Sequence, residues 1–273
     1  MMQTYSKSIL TIFSSIQRNR ELIFASTKRE ILGRYRGSFI GIFWSLITPI
    51  FMLLIFTFVF SVIFKARWGG TSGSKVEFAL LLFIGLIVFN LFAECINRSP
   101  VLIISNINFV KKVVYPLEIL PFVVTLNAFF HAIISLIAWF VVHSFFYGLP
   151  PLTIFYLPLI LIPFAIFTLG LSWALAAVGV FFRDLSQLIA LITSGLMFLS
   201  PIFYPVSSFP EGYRFILYIN PITFVIEQFR NIVFWGFHLN FAEVAVYWIV
   251  SLFIGWVGFV VFQMTRKGFS DVL

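Results

Sequence analysis

Stretches of apolar sequence long enough to cross a bilayer constrain this chain more than any other feature. A helix spanning the hydrocarbon core needs about 20 consecutive, mostly apolar residues. Six stretches meet that length, at roughly 38–64, 78–97, 117–147, 153–181, 186–204 and 241–263. Apolar residues make up 61% of the chain and charged residues 10%, whereas soluble domains carry about half and about a quarter. A soluble protein of 273 residues has no interior able to hide that much apolar side chain, so lipid must solvate much of it. Pro49, Pro121, Pro158 and Pro163 fall inside these stretches. Membrane helices tolerate such breaks where neighbours satisfy the freed backbone groups. The third stretch exceeds the need of one span and predicts tilt or an extra turn beyond the bilayer.

Orientation follows from the basic residues between spans. With the N-terminus inside, the cytoplasmic segments hold thirteen: Lys7, Arg18, Arg20, Lys28, Arg29, Arg34, Arg36, Arg98, Lys111, Lys112, Arg183, Arg266 and Lys267. The outer segments hold five, namely Lys65, Arg67, Lys75, Arg214 and Arg230. That bias places both termini in the cytoplasm. It also explains the net charge of +8 as attachment to anionic lipid rather than to nucleic acid. A cleaved signal peptide is not expected, because Ser14, Ser15 and Gln17 interrupt the first apolar stretch and no small-residue cleavage site follows.

Two apolar segments do not read as spans. Residues 8–32 set Ile9, Ile12, Phe13, Ile16, Ile23, Phe24 and Ile31 near one helical face, with the charges mainly elsewhere, which predicts an amphipathic helix in the cytoplasmic interface. In 205–238, Pro205, Pro210, Glu211, Arg214, Asn220, Pro221, Glu227 and Arg230 interrupt a would-be span. Two short helices, 211–219 and 222–235, are expected there, dipping back from the outer face as a candidate gate. The result is one all-α polytopic membrane domain: six transmembrane helices, an N-terminal interface helix, and re-entrant periplasmic gate helices between spans five and six.

The chain shows no motor of its own. Gly69, Gly70, Thr71, Ser72, Gly73, Ser74 and Lys75 have the wrong spacing for a phosphate-cradling loop, and the topology puts them outside, as a flexible connection between the first two spans. The single cysteine, Cys95, excludes an internal disulfide, and the three histidines are scattered, so no metal site is expected. His131 and His143 have no acidic neighbour in sequence and read as structural rather than as a proton relay. Glu94, Glu118, Asp184 and Glu243 lie near span ends, where water is expected to reach them. Uphill transport would therefore draw its energy from a partner.

Aromatic residues are abundant: 38 Phe, 9 Tyr and 7 Trp. Most belong to lipid-facing surface and interfacial belts. Aromatic faces also stack on the C–H faces of sugars without fixing a register, which suits a sliding polymer. Phe51, Phe56, Phe60, Phe198, Phe203 and Tyr204 are the candidate channel lining.

Several strings together resemble one family. They are Gly33-Arg34-Tyr35-Arg36-Gly37-Ser38 with Gly41 and Trp44; Asn108-Phe109-Val110-Lys111-Lys112-Val113-Val114-Tyr115-Pro116-Leu117-Glu118-Ile119-Leu120-Pro121; Phe182-Arg183-Asp184-Leu185; Ser200-Pro201-Ile202-Phe203-Tyr204-Pro205; and Asn220-Pro221-Ile222-Thr223. In this order they resemble the permeases of type-2 ABC exporters of polysaccharide, most of all the O-antigen (Wzm-like) exporters, with capsule and teichoic-acid permeases close behind. The resemblance implies a homodimer in the bacterial inner membrane, paired with two copies of a separate ATPase subunit that binds the ATP and Mg; no cofactor is expected in this chain. It further implies an undecaprenyl-pyrophosphate-linked polysaccharide as cargo and a channel at the dimer axis.

Carried onto these residues, the segment from Arg98 to Tyr115, with Asn108, Lys111, Lys112 and the Arg183-Asp184 turn, is the expected ATPase-coupling surface. Residues Pro210, Arg214, Asn220, Pro221, Glu227 and Arg230 belong to the expected gate. Arg29, Arg34 and Arg36 sit where the first span meets the headgroups, suited either to a lipid pyrophosphate or to ordinary anionic lipid. Arg183 and Asp184 are placed to form a local ion pair. Glu227 and Arg230, three apart, form either a latch or a solvated pair. A secondary carrier or channel would want buried titratable groups, and an enzyme acting on polyprenyl-linked sugar would want acids gathered in a large loop. The sequence offers neither.

Overall fold

The computed structural model describes residues 9–59, 68, 75–111 and 115–273. Among these residues the chain is helical throughout, with no strand, as expected of an all-α polytopic membrane protein. Lys7, Phe60, Lys65, Arg67, residues 69–74 and Lys112 lie outside the described residues.

The N-terminal segment forms two helices rather than one, α1 (Ile9–Arg18) and α2 (Arg20–Arg34). The break falls at Asn19, where the Ser15 carbonyl takes two donors, the Asn19 backbone N–H at 3.0 Å and its side-chain amide at 2.8 Å. Ile23 and Ser26 of α2 are buried against the bundle, whereas Phe24 is exposed and leaves the predicted apolar face. The turn into the first span uses Gly37 and Gly41 at positive φ of 85° and 59°. The first span is helical from Gly41, with α3 at Trp44–Phe56, and is almost wholly uncovered by the rest of the chain.

Helix α4 (Lys75–Arg98) is the centre of the molecule. Its apolar stretch from Phe78 to Phe89 is buried all round, with Leu80, Leu81, Leu82 and Ile84 fully enclosed. It is followed by a 3-10 turn at Ser99–Val101 and two short pieces, α5 (Leu102–Ser105) and α6 (Ile107–Lys111). Helix α7 (Ile119–Tyr147) has 29 residues and is therefore about 44 Å long, beyond the roughly 30 Å hydrocarbon core, as its sequence length predicts. The Trp139 indole N–H of α7 donates to the Leu80 carbonyl of α4 at 3.0 Å, so the buried indole is satisfied.

Helix α8 (Leu157–Phe181) leads through a tight turn to α9 (Leu185–Phe198). With 14 residues, α9 is about 21 Å long, shorter than the span expected over 186–204. Pro201 explains the early stop, since it lacks an N–H and disfavours helical backbone at Ser200. Among the described residues five helices are thus long and apolar enough to cross a membrane, with α9 a shorter apolar helix. Helices α10 (Arg214–Ile219) and α11 (Pro221–Arg230), the latter running into a π turn at Asn231–Trp235, match the two short helices expected. Asn220 caps α11 by accepting from the Ile222 N–H at 3.0 Å, with Pro221 at the first helical position. Helices α12 (Phe241–Thr265) and α13 (Phe269–Val272) close the chain.

Helices α8 and α12 pack through glycines. A methyl group on Gly258 would lie 1.9 Å from the Gly170 carbonyl oxygen, and one on Gly170 would lie 2.6 Å from the Gly255 Cα. Small residues allow membrane helices to approach this closely, where apolar surface alone drives no association. Gly179 does the same for the Ser99–Val101 turn, its added methyl falling 2.0 Å from the Pro100 carbonyl oxygen. Gly170→Val is expected to cost about 1–3 kcal/mol or more by overpacking, read as a lowered unfolding midpoint in detergent. Gly195→Ala, where an added methyl meets nothing within 4 Å, serves as the control and should leave the midpoint unchanged.

Candidate functional site

The end of the bundle that carries α2 and the last turn of α4 holds a chain of charges. The Arg34 guanidinium donates to Glu94 at 2.9 Å, and Arg98 reaches the same carboxylate at 3.4 Å. Arg98 also pairs with Glu30, whose carboxylate accepts from the Asn127 amide at 3.2 Å. The arrangement follows from local structure. Glu94 and Arg98 stand four apart on α4, and burial of Ile23 and Ser26 brings Glu30 of α2 against α7. An exposed ion pair contributes about 0–1 kcal/mol, so the value of these partly exposed pairs is positional: they join α2, α4 and α7.

Beside this network, behind the uncovered first span, lies a cavity of about 780 Å³. Its lining combines the polar Arg34, Tyr35, Asn90, Glu94, Asn97 and His131 with the aromatic Trp44, Phe56 and Phe83. Tyr35 Oη and His131 Nδ1 stand 3.4 Å apart. Burial holds the Tyr35 phenol above its ordinary pKa, so it stays neutral and hydrogen-bonding at physiological pH. Asn97 accepts from the Thr193 hydroxyl at 2.7 Å, which ties α9 to the same wall. A cavity lined by amide, hydroxyl and charged groups together with aromatic rings can receive a polar, hydroxyl-rich molecule or an anionic headgroup.

The three arginines proposed from sequence do not converge. Arg34, half exposed, opens onto the cavity; Arg29 lines a separate cleft of about 260 Å³ with Ser26, Asn106 and Tyr115; Arg36 is exposed on the following turn. Arg98 lines both spaces. In the expected coupling segment, Asn108 and Lys111 lie on α6, and Tyr115 is buried, its ring stacked on Phe109 at 4.3 Å. Arg183 and Asp184 are exposed in the α8–α9 turn, and no ion pair joins them among the described residues. Nor does water reach Glu118 freely: it is buried and paired with Arg266 at 2.6 Å.

Of the aromatic candidates, Phe56 lines the cavity and Phe51 sits on the free face of the first span. Phe198 stacks on Phe203 at 6.0 Å, and Tyr204 donates to the Phe198 carbonyl at 2.7 Å, at the opposite end of α9 from Asp184. In the candidate gate, Arg214 donates to the Phe209 and Ser207 carbonyls, each at 3.0 Å, while Pro210 is exposed. Asn220 donates to the Ser200 hydroxyl at 2.8 Å, joining the start of α11 to the end of α9.

Arg230 is the firmest of these contacts, and it is not a solvated residue. Its side chain is only 2% exposed. It donates to the Leu81 carbonyl at 3.0 Å, Pro201 at 2.6 Å, Ile202 at 3.0 Å and Glu227 at 2.9 Å. The guanidinium also lies 4.3 Å over the Trp68 ring. Gly85 leaves room for it, since a methyl there would stand 3.0 Å from Nη2. The planar fork of Arg thus meets the backbone carbonyls that the helix break at Pro201 leaves unpaired.

Glu30, Glu94, Asn90, Asn97 and Asn127 are the site residues that charge counting alone passes over. A signal for the α4 members is present: Asn90, Glu94, Asn97 and Arg98 recur at helical spacing on one face of an otherwise apolar helix.

The chain matches the family described as ABC-2 type transporter over residues 21–234. It is 26% identical over 255 residues to the O-antigen export system permease protein RfbA of Klebsiella pneumoniae, covering 93% of this chain and 95% of that one. A protein of the same description from Myxococcus xanthus is 24% identical, covering 96% of this chain and 99% of its own length. The polysialic acid transport protein KpsM of Escherichia coli is 27% identical over 247 residues, covering 86% and 90%.

Removing the Arg230 charge strands the Glu227 carboxylate and the Pro201 and Ile202 carbonyls, whereas Leu81 keeps its own helix bond. Arg230→Met is therefore expected to cost about 3–5 kcal/mol, read by thermal unfolding in detergent. Glu227→Gln, which leaves the enclosed cation its carbonyl partners but not its counter-charge, should cost less, about 1–3 kcal/mol.

Proposed function

The chain belongs to the ABC-2 type transporter family, as a multi-pass permease rather than an enzyme in its own right, and on that premise we propose that it exports undecaprenyl-pyrophosphate-linked polysaccharide of the O-antigen kind. In this reading the chain works in the bacterial inner membrane, with the Arg34–Arg98 end in the cytoplasm and the α10–α11 end facing the periplasm. Two copies form a channel at their axis. Two copies of a separate ATPase subunit, which bind the ATP and Mg, supply the energy. The observation that carries this reading is the likeness to relatives named for O-antigen export, which runs through 93% of the chain. The polysialic acid relative supports capsule polysaccharide as the alternative cargo.

The geometry fits that task. A first span almost uncovered by its own chain calls for a partner surface, and a second copy supplies one. The cavity behind that span offers hydrogen-bonding groups and aromatic faces to a sugar polymer, neither fixing a single register. Arg34 is half exposed at the cavity wall and held by Glu94 alone of the network's carboxylates, so a pyrophosphate can compete for its guanidinium. Arg36, exposed on the turn that follows, adds charge at the approach. Movement of the ATPase subunits against the 98–115 segment would reach α2 through Arg98 and Glu30, and the cavity through Arg98 and Glu94.

The test is complementation. Co-expressed with its ATPase subunit in cells lacking their own exporter, the chain should restore polysaccharide at the cell surface. Arg34→Gln with Arg36→Gln should lower surface polysaccharide at least tenfold with membrane insertion unchanged. Undiminished surface polysaccharide in that double variant would remove the two arginines from headgroup recognition.

A further inference from the structure

Glu118 joins four elements, and none of its contacts belongs to the cavity. One carboxylate oxygen accepts from the Ser15 hydroxyl of α1 at 2.9 Å; the other accepts from Arg266, just beyond α12, at 2.6 Å. The Glu118 backbone carbonyl accepts from the Trp173 indole of α8 at 2.8 Å. Glu118 itself precedes the first residue of α7. The second Arg266 nitrogen donates to the Tyr115 carbonyl at 3.3 Å, at the end of the 98–115 segment. Tyr115 is stacked on Phe109 of α6, so that segment is held by ring and backbone together. Beyond Arg266 the chain stays on the same surface: Phe269 is fully buried against Phe262, and the Lys111 ammonium meets the Leu273 carbonyl oxygen.

We infer that Glu118 and Arg266 are positioning residues that make the end of α12 move as one body with the 98–115 segment. The pair is closely enclosed, with side chains 11% and 13% exposed, so neither group can exchange its partner for water at little cost. A displacement of the 98–115 segment then pulls on Arg266 through the Tyr115 carbonyl, on α7 through Glu118, and on α1 through Ser15. The α2–α4 charge network carries the same displacement toward the cavity, so the segment has two outputs and the Glu118–Arg266 pair is the one that leads to the last span. This inference rests on the exporter reading above.

The experiment measures ATP hydrolysis and transport separately, with the chain and its ATPase subunit reconstituted in lipid vesicles. The transport probe is an undecaprenyl-pyrophosphate-linked oligosaccharide scored by glycosidase protection. Glu118→Gln and Arg266→Gln are expected to keep hydrolysis within about twofold while transport per ATP falls roughly tenfold. The swapped pair, Glu118→Arg with Arg266→Glu, should recover part of the ratio. Arg266→Lys, which keeps the charge but not the two-pronged reach to Glu118 and Tyr115, should assemble even where the Gln variants do not, and should still lower transport per ATP. A wild-type transport-to-hydrolysis ratio in Arg266→Lys, and in whichever Gln variants assemble, would overturn the inference. Failure of the wild-type complex to transport the probe would instead count against the exporter reading itself.

Discussion

Within lipid no water waits to satisfy a backbone group, so everything at membrane depth must be paired inside the protein, and α4 is where this chain meets that demand. Its Leu80 carbonyl accepts the Trp139 indole, and its Leu81 carbonyl accepts Arg230. Gly85 makes room for the same guanidinium, which also serves the Pro201 and Ile202 carbonyls where α9 stops short. The broken backbone between α9 and α11 is therefore not loose chain beside the bilayer. One buried cation ties it to the central helix.

The two ends of α4 are built differently, and the difference bears on function. At the Arg230 end the contacts are enclosed, directed at backbone carbonyls and paired with an aromatic face. At the Arg98 end the contacts are between side chains, shared between carboxylates and partly open to water. Buried, fully partnered networks rigidify, whereas exposed pairs exchange partners at little cost. The first span, lying against the exchangeable end and bare along most of its length, is the least covered of the candidate spans among the described residues.

Much of this architecture is legible in the order of the residues. Apolar run length locates five of the six expected spans, and the prolines and charges of 205–238 locate two short helices near their observed bounds. The fifth span is shorter than expected because run length does not register that Pro201 ends a helix whose flanks remain apolar. Asn19 marks the junction of α1 and α2 without changing the amphipathic pattern, its side-chain amide adding a second donor to the Ser15 carbonyl. Partnership across the fold is the part that sequence order hides. Arg230 looks from sequence like an outer-face charge, and Glu118 like a solvated span end, because the carbonyls that Arg230 serves lie 28 to 149 residues away and the Arg266 partner of Glu118 lies 148 away. The polar face of α4 is readable in principle from the spacing of Asn90, Glu94 and Asn97.

On the proposed reading this permease has no motor of its own and draws the energy for export from a partner that hydrolyses ATP. The most direct measurement is ATP hydrolysis by the purified chain in lipid, alone and together with its ATPase subunit, with and without polyprenyl-linked glycan. The account predicts no hydrolysis by the lone chain and a stable complex whose hydrolysis changes when glycan is added. A chain that forms no such complex, yet moves glycan by itself, would contradict it and identify a carrier or channel instead.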